Sequence, residues 1–437
     1  MSLSRRFARL VALLLVVLAG MALAQAQPLT ATESGRERVF DALVDVFKDN
    51  YWSPDHLDWD QWANSYREAA LSAESRAAFD QVVRRMVSAV GDDHSSWMGL
   101  VDLVDEPHEL PREPAQTGIG IRHTLLQGVG VVIERVFPDT PAAEAGLRRG
   151  DVIVRLNGED VRDLHSSQEV ASLFGRAVAE NEVKLRVKRK HSHLNIAVTP
   201  KPIRFTEVAN RPAGEMLDDN TGYIFLPTFN APFVAEEMHR VLEDLLAKGA
   251  EAVILDLRGN LGGRLGELGL VLGAFIEGPW AQAVSRGELA WRGMYQREPD
   301  RGINLLLGRD DDYRSRISID DPTFFDGPLV VLVDRASSSA GEIAAHVLQD
   351  LGRAKVIGEP TRGNVEAVRG FDLPDGSVVM VAVANVQSIE GRTFDDGVTP
   401  DFSARTELEE LARGFDAPLA EALRAVKELP FTPGRYF

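Results

Sequence analysis

The sequence contains no cysteine. Disulfides, thiol catalysis, cysteine–zinc sites and lipid attachment at a processed N-terminal cysteine are therefore excluded. Basic residues are in the minority, with 48 Lys and Arg against 66 Asp and Glu, a formal net charge of −18. That balance argues against nucleic acid as a partner and against a generally basic membrane-binding surface. Beyond the first two dozen residues no apolar run is long enough to cross a bilayer, and no repeat array or low-complexity tract occurs. There is no HExxH element. His191 and His193 alternate on a strand, but two ligands without a third do not make a metal site, so neither metal nor other cofactor is expected.

What is present is 437 residues with 44% hydrophobic content, enough for two or three packed domains that need no disulfide. Arg5, Arg6 and Arg9 precede an apolar run from Leu10 to Leu23, and Ala22-Leu23-Ala24 has the small residues of a cleavage site. Residues 1–24 read as a signal peptide, which sends the mature chain to the periplasm or outside the cell.

From about Thr30 to Val104 the chain is expected to be helical, with Val39, Leu43, Val44 and Phe47 on one face and Phe79, Val82, Val83, Met86, Val87 and Val90 on another. This segment is placed at 28–110, and the proline-bearing stretch Asp105 to Gln116 reads as a linker. A unit of short strands and turns follows at 115–202. It carries Gly118-Ile119-Gly120-Ile121, a strand over Gly130 to Val136, Pro138-Asp139-Thr140-Pro141 and Gly150-Asp151-Val152-Ile153. Together these resemble a PDZ domain of the bacterial protease type. The resemblance implies that backbone N–H groups around Ile119, Gly120 and Ile121 receive a terminal carboxylate while the ligand adds as a strand.

From Arg204 to the C-terminus, placed as one domain over 204–437, the pattern becomes strand–helix–strand. Strands are expected over Gly222 to Pro227, Ala252 to Leu257, Leu329 to Asp334 and Ala354 to Gly358. Helices are expected over Val234 to Lys248, from near Leu265 and from near Ala340. That order argues for a mainly parallel sheet with crossover helices. The stretch from Ser285 to Asp326 reads as a polar, irregular insertion over the active face.

Two loops at strand ends carry chemistry. In Val330 to Asp350 a β-branched strand ends at Asp334, small residues follow, and a helix opens behind Ser339. A serine there sits among unpaired N–H groups at the positive end of a helix, which suits a nucleophile whose attack creates an oxyanion. The same residues also fit an ordinary capped helix, with Ser339 as N-cap and Glu342 completing a capping box. The second loop is Asp256-Leu257-Arg258-Gly259-Asn260-Leu261-Gly262-Gly263. It lies at the carboxyl end of a strand, where open α/β sheets place their sites, and its glycines let a backbone N–H approach a substrate oxygen. An ordinary glycine-rich turn is the plain alternative; a phosphate cradle would need a Walker lysine, which is missing.

In one order the chain carries the signal peptide, the helical segment, the PDZ unit, D-L-R-G-N-x-G-G, V-D-R-x-S-S-S-A-G-E and Gly358-Glu359-Pro360-Thr361. The whole mature chain resembles the C-terminal processing (tail-specific) serine proteases, which are related to the tricorn protease core. The fold this implies is multidomain, α/β and α+β: a helical N-terminal segment, a PDZ domain and a crotonase-like, ClpP-like α/β core. The resemblance makes Ser339 the nucleophile and the Gly263 and Ala340 N–H groups the oxyanion hole. Many members pair the serine with a lysine, but that position here is Asn364, which cannot accept the serine proton. Lys355 belongs to the preceding strand, and Arg362 stays protonated.

A tricorn-like arrangement uses histidine and an acid instead, and His94, in a polar turn after an apolar helix, is the histidine that matches. An imidazole of ordinary pKa suits a general base. A gap-free match puts Phe394 at the acidic position, so Asp395 is the nearest substitute, with Asp396 and Glu366 as competitors. His346, among apolar residues on the serine helix, reads as packed. The function implied is an exported serine endopeptidase acting on protein or peptide substrates through their C-terminal or unfolded segments. A regulatory partner or a homo-oligomer is compatible with it. The rival is an inactive PDZ adaptor on a protease scaffold.

Overall fold

A computed structural model describes residues 29–92, 94–99, 115–363 and 365–428. The proposed signal peptide, residues 105–114 of the linker and Asn364 lie outside the described residues. The chain divides into two units, one comprising residues 1–108 with 368–383 and the other 109–367 with 384–437.

The first unit is built on helices Glu33–Asn50, Trp59–Leu71 and Arg76–Ser88. Thr32, Asp58 and Ser75 cap them, each side chain accepting from the backbone N–H three residues on. The two apolar stripes read from the sequence form one core with Trp59, Trp62 and Trp97. Among the described residues the helical reading fails after Val90; residues 100–104 lie outside them. Ser96–Met98 is a strand, paired antiparallel with Val378–Met380, and it buries Trp97. Pairing with residues nearly three hundred positions away overrides any local preference there.

In the second unit, antiparallel strands Ile121–Leu126, Gly130–Val136, Val152–Leu156, Val183–Arg189 and Ser192–Val198 form a sheet in that order, with helix Ser167–Ala179 over its core. The α/β part has a six-stranded sheet in the order Ala213–Met216, Thr221–Phe225, Ala252–Asp256, Leu329–Val333, Lys355–Gly358, Phe402–Ser403; every pairing after the first is parallel. The two central strands are buried at every position. Val253, Leu255, Val331 and Val333 face a core shared with helix Ala340–Asp350, while Ala252, Ile254, Val330 and Leu332 face helix Ala417–Glu428. A sheet covered on both faces has no polar side, hence the continuous apolar runs.

The stretch from Ser285 to Asp326 is not irregular. Gly278–Ser285, Glu288–Glu298, Arg301–Leu307 and Tyr313–Asp320 form an antiparallel meander, and Gln282–Val284 also pair with Asn385–Gln387. The first turn is the two residues Arg286 (φ 51°) and Gly287 (φ 78°), both left-handed, the geometry that suits a tight hairpin. Charged residues dominate the exposed positions and mask the alternation in the sequence. Ile303, Leu305 and Leu307 carry the buried side of one strand.

Candidate active site

The two loops marked in the sequence meet at the carboxyl ends of the central parallel strands. The Asp334 carboxylate accepts from the N–H groups of Gly259, Ala336 and Ser337 at 2.9–3.0 Å. The Ser337 hydroxyl donates to the Leu257 carbonyl at 2.8 Å. Asn260, fully buried, donates its amide to the Leu226 carbonyl, accepts from the Gly262 N–H at 2.8 Å, and its carbonyl receives the Ser338 N–H at 2.9 Å. Both loops are thereby fixed before any substrate arrives.

Ser339 takes φ 52° and ψ −126°, outside the regions favoured for a residue with a Cβ. Such a conformation costs about 1–3 kcal/mol and persists only where the surroundings impose it. The surroundings here are Glu342 and Gly262. The fully buried Glu342 carboxylate accepts from the Ser339 N–H at 3.0 Å, the Thr361 hydroxyl at 2.5 Å and the Gly363 N–H at 2.6 Å. The expected back-bond from Glu342 to its N-cap is thus present, and it also ties down the loop that leads to position 364. A Cβ on Gly262 would lie 2.8 Å from the Ala340 nitrogen, so only glycine lets the two loops approach this closely.

Gly263 is exposed, with φ 143°. Its neighbours bind the segment beside it: Phe229 donates to the Gly262 carbonyl and Arg264 to the Phe229 carbonyl. Among the described residues neither the Gly263 N–H nor the Ala340 N–H has an acceptor. Two unspent donors beside a half-buried serine hydroxyl form an arrangement able to hold a developing oxyanion.

Residues 220–404 match the model of peptidase family S41, residues 117–199 the PDZ domain and residues 33–88 the tricorn protease C1 domain. The chain is 32% identical over 335 residues to the chloroplastic C-terminal processing peptidase of Tetradesmus obliquus, covering 71% of this chain and 67% of the relative. It is 28% identical over 390 residues to the chloroplastic carboxyl-terminal-processing peptidase 1 of Arabidopsis thaliana, covering 85% and 70%. The chain belongs to peptidase family S41. It is a serine-type peptidase of the C-terminal processing group, with a PDZ domain. The crystal structure of a candidate S41 protease from Bacteroides fragilis shares its fold, with a TM-score of 0.52 over 88% of this chain and 97% of that one at 17% identity.

The other expected site residues of this S41 peptidase fall in different places. His94 lies in the first unit, in a turn where the Asp92 carboxylate accepts from the His94 and Ser95 N–H groups. Asp395 is exposed in the second unit and accepts from the Asn385 amide at 2.8 Å. Its carbonyl is the atom a Cβ on Gly363 would strike, at 2.1 Å, so it abuts the loop that Glu342 holds. Asp396 is exposed, and Glu366 is buried at the start of strand Glu366–Asp372. Phe394, at the acidic position of the family pattern, is buried and stacks on His346 at 4.3 Å. Burial, with a smaller contribution from Arg392, pushes the His346 imidazole down to about 4. Lys355 is paired with Asp401 at 2.8 Å.

In the PDZ domain Gly120 has φ 86°, and a Cβ there would meet the Thr140 side chain at 2.3 Å. The Ile119 and Gly120 carbonyls accept from Ala142 and Phe137, while the Ile119 and Gly120 N–H groups have no acceptor among the described residues.

Sequence reasoning missed a buried ionic chain beneath the site. Arg258 binds Asp256 at 2.6 Å and Asp416 at 2.8 Å, and Asp416 also binds Arg149 of the PDZ domain at 2.9 Å. Burial alone would raise the Asp416 carboxyl, but the Arg258 and Arg149 charges and hydrogen bonds hold it at about 2. Arg258 was visible in its motif; nothing local in the sequence marks Asp416, 158 residues away.

Proposed function

We propose that this S41 peptidase is an exported endopeptidase that cleaves by acyl-enzyme chemistry at Ser339. The observation carrying this reading is the pair of unspent Gly263 and Ala340 N–H groups beside the strained serine. The Ser339 Oγ attacks the scissile carbonyl carbon, and the two N–H groups receive the oxyanion. His94 takes the hydroxyl proton and passes it to the leaving amine. Water, deprotonated by the same imidazole, then releases the acyl group and restores the serine.

The base is assigned to His94 on chemical grounds. Asparagine at position 364 cannot serve, and in the α/β part of the second unit His239 and His346 are committed elsewhere. His239 is buried with both ring nitrogens 2.9–3.0 Å from carbonyl oxygens, and His346 is stacked and held at a low pKa. Asp395 is proposed to hold the imidazolium, with Asp396 and Glu366 as competitors. His94→Ala should then cut turnover strongly without loss of fold, and Asp395→Ala less so; near-normal proteolysis by the His94 variant removes it from the mechanism.

Substrates are proposed to be proteins or peptides presented by their C-termini; the names of the relatives describe C-terminal processing. The free Ile119 and Gly120 N–H groups, with Ile121 opening the next strand, support capture of a terminal carboxylate. Calorimetry with full-length Ser339→Ala tests this. A peptide acid should bind more tightly than its amide, which lacks the charge; equal affinity would end the C-terminal part of the reading.

A further inference from the structure

Leu261 is 71% exposed, the most exposed large apolar side chain among the described residues. An exposed leucine on an arbitrary surface needs no explanation. This one stands between fully buried Asn260 and buried Gly262, in the loop that ends at Gly263. Four hydrogen bonds of Asn260 and one from Gly259 to Asp334 brace that loop, so the leucine is presented by a rigid frame. Gly262, the next residue, is the one packed against the Ser339 Cβ. A polypeptide with its scissile carbonyl at Ser339 and its carbonyl oxygen at Gly263 would lie against the loop that carries this leucine.

We propose that Leu261 forms the wall of an apolar subsite for a substrate side chain flanking the scissile bond, and so sets which residue is accepted there. The proposal rests on Ser339 being the nucleophile. Substrate burial removes the exposed leucine surface from water, and an apolar substrate side chain gains from the contact while a carboxylate loses its hydration against it. The effect is a selectivity effect: it alters the ratio of kcat/KM between substrates.

The test uses full-length protein and two sets of peptides, varied to Leu, Ala, Glu or Lys on one side of the scissile bond or on the other. Wild type should prefer Leu over Glu at one of the two positions. Leu261→Ala should lower the Leu-to-Ala ratio of kcat/KM about tenfold there. Leu261→Lys should shift preference toward Glu, a gain that a merely damaged loop cannot produce. Unchanged ratios at both positions in both variants, or an equal fall for every peptide, would overturn the proposal. Fluorophosphonate labelling of wild-type Ser339 reports separately on the nucleophile. Labelling with unchanged ratios removes Leu261 alone; absence of labelling removes the nucleophile and this proposal with it.

Discussion

A Cβ placed on Gly262 would stand 2.6 Å from the Ser339 Cβ, a contact that real side chains do not make. Gly262 also has φ 91°, so an alanine there is strained even without the clash. The loop that offers the Gly263 N–H and the turn that offers Ser339 therefore approach only because residue 262 has no side chain. Gly262→Ala should lower kcat at least about 100-fold, the scale of a lost oxyanion donor. The strain should cost about 1–3 kcal/mol in stability. Turnover and thermal unfolding measured on the same preparation check both.

The buried pair Arg258–Asp416 should be costly to break. Asp416→Ala leaves Arg258 with one carboxylate instead of two and removes the partner of Arg149. A loss of about 3–5 kcal/mol is expected from urea unfolding. The pH dependence has a definite sign. The folded carboxyl sits at about 2, below its unfolded value of 3.8, so its contribution is present above 3.8 and is lost as pH falls towards 2.

His346 acts in a different window. Its folded pKa of about 4 lies below the ordinary 6.5, so the unfolded chain binds the proton first on acidification. Stability should fall as pH drops from about 6.5 to 4, by up to about 3 kcal/mol from this group. His346→Phe, which keeps a ring against Phe394, should flatten that part of the profile. An unchanged slope would assign the loss to other groups.

The parts of this molecule legible in the sequence are those with a local cause. The central strands were readable because burial on both faces makes them continuously apolar, and the helix behind Ser339 because its small residues and Glu342 mark its start. The strand Ser96–Met98 and the meander after Gly278 were not, since their pairings depend on distant residues and their exposed faces are charged. Within the candidate site, the positions of Ser339 and Gly263 at the ends of parallel strands follow from motifs. The closeness of Gly262 to Ser339 and the engagement of Glu342 with Ser339, Thr361 and Gly363 are properties of loops brought together, and no spacing along the chain encodes them.

The central claim is that Ser339 is the nucleophile. Its most direct test is fluorophosphonate labelling of the full-length protein, with the modified peptide located by mass spectrometry. One phosphonyl group should be found on Ser339, labelling should be absent in Ser339→Ala, and peptide cleavage should disappear with it. Cleavage that survives in Ser339→Ala, or a label carried by another residue, would contradict the account.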